Sequence, residues 1–201
     1  MDNQQRIRQL ETLAQENNWS FSANGKVSAI EKFEFQNGEK RQVDKIENLI
    51  EGDGFKIFDV YWKQDFKVSN AFGPLAHKDS SAQNVHRQTI VLFESSNLKL
   101  AKFYVYPKDS NNWLNNWIDK AFLQSNFSDY PEFEKRWVVR GSVKQPLNKD
   151  VIEFYEKSDN FWTFANENCI FIYQPNVLIH PAEISVWIKR NLILSNLFEE
   201  F

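Results

Sequence analysis

Apolar and polar positions along the chain alternate between two periods. Near the amino terminus Ile7, Leu10 and Ala14 recur at i, i+3 and i+7, with Leu13 alongside. That stripe predicts an amphipathic helix over residues 4–16, ended by Asn17-Asn18, so that residues 1–18 form an amino-terminal helical segment. Trp19 to Ala23 reads as a short strand running into the turn dipeptide Asn24-Gly25. Glu31 to Phe35 followed by Asn37-Gly38 repeats the strand-turn signal, Asn-Gly being the preferred two-residue hairpin connection. Gln42 to Ile50 fits neither period cleanly.

The strongest strand pattern is Phe55 to Trp62. Phe55, Ile57, Asp59 and Tyr61 share one face; Phe58, Val60 and Trp62 share the other. Apolar groups on both faces predict a strand covered on both sides. Gln88 to Glu94 and Leu100 to Tyr106 follow as strands joined by the hairpin-length link Ser95-Ser96-Asn97, and Pro107 ends the second. Residues 110–123 read as a helix with Trp113, Trp117 and Ile118 near one face and Asp109 or Ser110 as N-cap. Arg136 to Arg140 reads as a strand. Leu147, Val151 and Phe154 mark a helix. Phe161 to Phe164 and Cys169 to Tyr173 form a hairpin around Asn166-Glu167-Asn168, and Pro181 opens a final helix. Between the strands, residues 63–87 are either an extended hairpin or a long functional loop.

These elements predict one α+β domain over residues 1–201: an antiparallel sheet with helices packed on it. The length, 201 residues, is enough for a core that needs neither disulfide nor metal. An aromatic share of 15%, with 18 Phe and 7 Trp, argues against disorder along the whole length. A net charge of −3, with basic and acidic residues interleaved, lacks the basic stripe of a nucleic-acid binder. The amino terminus shows no secretory signal, and no apolar run is long enough to span a bilayer. A cytoplasmic setting is therefore expected, and a membrane role is not.

The candidate chemistry is sparse. His77 and His86 lie nine residues apart with Asp79 between them, and His180 is remote. No metal-ligand spacing emerges, and neither a metal nor another cofactor is expected. Cys169, the single cysteine, sits beside Ile170 and Phe171 and reads as a small buried hydrophobe. Gly52-Asp53-Gly54 precedes a strand, which fits a tight turn and not a phosphate loop. Asp59 stands out as an acid inside the most apolar strand. Buried, it needs a partner or a raised pKa, and Arg136 or Arg140 on a later strand could supply the pairing. A general base is the sharper alternative for Asp59. Trp113 and Trp117, four apart on one helix face, could anchor a partner or dip into a membrane surface.

Several segments in order resemble a bacterial family of uncharacterised proteins. They are Gly54 to Tyr61 with its Phe-Asp-Val-Tyr run, Gln88 to Phe93, Leu100 to Pro107, Pro131 to Gly141 and Cys169 to Pro175, followed by the segment from Pro181. The similarity covers roughly residues 50–200. Many members carry apolar helices ahead of this domain, where this chain has a polar helix. The resemblance implies no activity and no catalytic residue. The functional expectation is a non-enzymatic module that binds a protein or peptide partner. A small-molecule-binding domain or hydrolase with a pocket between sheet and helices is the alternative, and a peripheral membrane domain a third.

Overall fold

A computed structural model describes residues 2–34, 43–63, 85–108, 127–141 and 147–199. Its strands are β1 (Ser20–Asn24), β2 (Val43–Gly52), β3 (Phe55–Lys63), β4 (Val85–Glu94), β5 (Leu100–Pro107), β6 (Trp137–Gly141), β7 (Trp162–Glu167) and β8 (Cys169–Tyr173). They join in one antiparallel sheet of order β1-β2-β3-β4-β8-β7-β5-β6. Among the described residues four α-helices belong to the α+β domain: α1 (Asn3–Glu16), α2 (Pro131–Arg136), α3 (Lys149–Glu156) and α4 (Pro181–Glu199).

Tight turns set two hairpins. Gly52 pairs with Phe55 across Asp53-Gly54, where Gly54 takes a φ of +75° that a side chain would resist. Asn166 pairs with Cys169 across Glu167-Asn168. The link Ser95-Ser96-Asn97 makes no hairpin, contrary to expectation. Residues Ile90–Glu94 of β4 pair with β8, so that β8 and β7 lie between β4 and β5. The Ser95 amide donates to Asn168 O at 3.1 Å as the chain leaves β4 to cross to β5.

Strand alternation separates two cores. One face presents Ile57, Val91, Val105 and Ile172 to Leu10 and Ala14 of α1, Val151 and Tyr155 of α3, and Ile184, Ile188 and Leu194 of α4. The other face presents Phe58, Ile90, Leu92, Phe164 and Phe171. There Phe33 plugs the sheet, with its ring centroid 5.2 Å from those of both Phe171 and Tyr173. The strand at Phe55 is thus covered on both sides. A fully buried Phe of this kind contributes about 1.5–3 kcal/mol through removal from water.

Phe33 also explains a second correction. Residues Ser28–Lys32 form a 3₁₀ turn, not the strand expected from Glu31 onward. The turn drops Ala29 and Phe33 onto the sheet and leaves Glu31 outside. Phe35 and Asn37-Gly38 lie outside the described residues, as do the helix expected over 110–123 and most of the 63–87 segment. The described part of the ambiguous stretch, from Val43 to Ile50, belongs to β2, whose pairing shifts between Glu47 and Ile50. That irregularity positions the site described next.

Candidate functional site

Asp59 points from β3 into the face that α1 covers, and it is 1% exposed. Its partner is Arg6, on the first turns of α1 and 3% exposed. Arg6 Nε donates to Asp59 Oδ2 at 2.7 Å, and Arg6 Nη2 donates to Asp59 Oδ1 at 2.8 Å. Arg6 Nη1 also donates to the Ile179 carbonyl at 2.7 Å. The expected partners stand elsewhere. Arg136 donates to the carbonyls of Glu156 and Ser158. Arg140 is on β6, five interstrand steps from β3, or about 24 Å.

Two further groups fill the carboxylate. Thr89 Oγ1, facing Asp59 from β4, donates to Oδ1 at 2.7 Å. Asn48 Nδ2 donates to Oδ2 at 2.8 Å. Asn48 gets there through a β-bulge: Glu47 faces Asp59 and Ile50 faces Ile57, so β2 holds one extra residue. Asn48 absorbs it with a φ of +55°, which Asn tolerates better than most residues. Thr89 is fixed in turn by the Ile179 amide, which donates to its Oγ1 at 3.0 Å. Each carboxylate oxygen therefore accepts two hydrogen bonds. Asp59 is saturated, with no second acid or base among its hydrogen-bond partners, and this geometry suits a structural pair better than proton transfer.

Two cavities flank α1. One, of about 250 Å³, is lined by Asp2, Asn3, Arg6, Arg87, Leu178 and His180. The other, of about 370 Å³, runs along Arg8, Gln9, Thr12 and Leu13 to Pro181. Neither is lined by Asp59.

The other candidates stand apart. Among the described residues no three His, Cys, Asp or Glu side chains converge to hold a metal ion. His86 Nδ1 lies 2.9 Å from Asn176 Oδ1, and its ring stacks on Trp62 at 5.9 Å between centroids. His180 precedes α4, its Nδ1 accepting from the Ala182 amide. His77 and Asp79 lie outside the described residues. Cys169 is fully buried, and burial, assisted by the Glu94 charge, pushes its thiol up to about 11. Burial likewise raises the Tyr61 hydroxyl to about 12, with Glu47 and Asp59 adding to the effect.

Trp113 and Trp117 lie outside the described residues. None of the five described tryptophans is exposed: Trp62 and Trp137 are buried, and Trp19, Trp162 and Trp187 are half-buried. The exposed apolar groups lie instead on α4, where Val186 is 67%, Ile193 56% and Leu192 38% exposed. Val177 is the fourth large apolar side chain left exposed among the described residues. Sequence periodicity missed this face because α4 is apolar on more than one side. It also missed Arg6, although Arg6 lies four residues before Leu10 on the buried stripe Arg6, Leu10, Ala14.

No family model matches the chain, and no curated protein matches it. Both findings are consistent with the resemblance to an uncharacterised family. Among solved structures the chain is similar to the mycobacterial trehalose monomycolate transport factor A, TtfA. The TM-score is 0.51 at 8% identity, over 96% of this chain and 92% of that one. The likeness is one of fold: a single α+β domain built on the same plan. No helix among the described residues is long and apolar enough to cross a membrane.

Proposed function

We propose that this protein is a non-enzymatic interaction module that engages a protein partner through the exposed face of α4. One observation carries the reading: three of the four large apolar side chains exposed among the described residues, Val186, Leu192 and Ile193, lie on that helix. Val186 and Ile193 are seven residues apart, two helical turns along one line. Lys189 lies between them, also exposed. Exposed apolar groups gathered on one element point to a contact surface, where scattered single ones do not. In this reading the protein works in the cytoplasm, where Cys169 stays a thiol. The same fold serves TtfA, a transport factor by name. A photo-crosslinking residue placed at 186 or 193 in the full chain tests the proposal in cells. Discrete protein adducts from both positions, and none from exposed Glu132 on α2, are expected. Equal labelling from all three positions, or none, would remove the proposal.

A further inference from the structure

The groups around the Arg6 guanidinium come from everything except α1. Asp59 is on β3, Thr89 on β4, and the Ile179 carbonyl belongs to the segment entering α4, while Asn48 on the β2 bulge bonds to the Asp59 carboxylate. They are also oriented without Arg6. Thr89 Oγ1 and Asn48 Nδ2 hold the carboxylate from either side, and the Ile179 amide holds Thr89. The recess is thus a preorganised receptor for a planar cation: two carboxylate oxygens matched to the guanidinium fork, plus a carbonyl for the remaining nitrogen.

The element that fills the receptor is lightly held. Of the fourteen residues of α1 only Arg6, Leu10 and Ala14 are buried. Cavities of about 250 and 370 Å³ flank the helix, so that edge is not sealed by packing. Asn18, at a φ of +57°, makes the bend between α1 and β1. A buried ion pair also holds a helix less well than apolar packing of the same volume, because desolvation offsets most of its attraction.

We propose that the recess beneath α1 is a guanidinium-binding site which Arg6 occupies in cis. An arginine on a partner's amphipathic helix, with apolar residues four and eight positions later as in α1, takes the same place when α1 lifts. The test uses the full chain carrying Arg6→Ala, with methylguanidinium at millimolar concentration as probe and methylammonium at equal ionic strength as control. Methylguanidinium should raise the Tm of the variant saturably by several degrees, methylammonium should not, and adding Asp59→Asn should abolish the rise. A peptide of residues 2–16 should bind Arg6→Ala at least tenfold tighter than the same peptide with Lys at position 6. Equal shifts from both cations, a rise that survives Asp59→Asn, or equal peptide binding would each overturn the proposal. Should Arg6→Ala not fold, Arg6→Gln replaces it. Should neither fold, amide exchange of the wild type decides: α1 opening far more readily than β3 supports a displaceable helix, and equal protection of the two refutes it.

Discussion

Arg6 and Asp59, 53 positions apart in the chain, meet in a two-pronged ion pair with N–O distances of 2.7 and 2.8 Å. The pair is buried on both sides, and its energetics follow from that. Removing only the cation leaves a desolvated carboxylate. Arg6→Ala is therefore expected to cost about 3–5 kcal/mol. Replacing both partners by apolar residues, as in Arg6→Met with Asp59→Leu, leaves no buried charge and should recover most of the loss. Urea unfolding of the two single variants and the double variant measures the coupling. Additive losses would mean that the pair does not act as a unit.

The bulge at Asn48 makes a separate demand, since backbone and side chain both matter there. Asn48→Gly keeps the left-handed backbone conformation and loses the amide bond to Asp59, a loss of about 1 kcal/mol or somewhat more for a bond to a charged acceptor. Asn48→Ala loses the same bond and strains the backbone by a further ~1 kcal/mol. Chemical denaturation should rank the proteins wild type, Gly, Ala. Equal stability of the two variants would show that β2 re-registers and removes the bulge.

How much of this was legible in the sequence depends on the range of the interaction. The helix at 4–16, the strand at Phe55 and the Asp53-Gly54 turn are local patterns, and they stand where periodicity puts them. Asp59 announced itself as an acid among apolar residues. Its partner did not, because Arg6 reaches it only through the packing of α1 beside β1 and β2, which no local pattern reveals, whereas Arg136 and Arg140 read as cations on a later strand. The same reason defeated the β4–β5 link: a short loop suggests a hairpin, and nothing local says that β8 and β7 will occupy the space between. Phe33 shows a third case. A strand-like residue became a plug because the sheet face beneath it needed covering.

Cys169 links stability to alkaline pH. Its pKa in the folded protein is raised to about 11 from an ordinary 9.0, with burial the main cause. The unfolded chain therefore releases the thiol proton first. The stability tied to this group is fully present below pH 9 and declines as pH rises from about 9 toward 11. Tyr61, raised to about 12 from 10.0, adds a loss that begins higher. Cys169→Ala should lower stability at pH 7 through lost packing and show a shallower decline between pH 9 and 11. Urea midpoints for both proteins across that interval provide the check. Parallel curves would mean that the thiol stays accessible to water.

Asn191 sits fully buried on α4, with neither its side-chain oxygen nor its nitrogen hydrogen-bonded. An orphaned buried polar group costs about 1–3 kcal/mol, so Asn191→Leu, of similar shape, should stabilise the protein by up to that amount. The midpoint should rise with an unchanged m-value. A fall would mean that the amide serves a partner, such as an internal water, that an apolar side chain cannot satisfy.

Helix α4 allows a comparison within one element. Ile184, Ile188 and Leu194 face the core and are at most 4% exposed, whereas Val186 and Ile193 on the other side are more than half exposed. Ile188→Ala and Leu194→Ala remove methylene groups from a packed interior, and each should cost about 2–5 kcal/mol. Val186→Lys and Ile193→Lys replace groups already in water and should change stability by no more than about 0.5 kcal/mol. If selection had acted on folding alone, nothing would favour Val and Ile over polar residues at 186 and 193, since a polar outer face suits an amphipathic helix equally well. Stability that is indifferent to the two lysines, together with loss of crosslinking in cells, would separate contact from core. A large destabilisation by either lysine would instead place that residue inside the folded domain and take the contact surface away from α4.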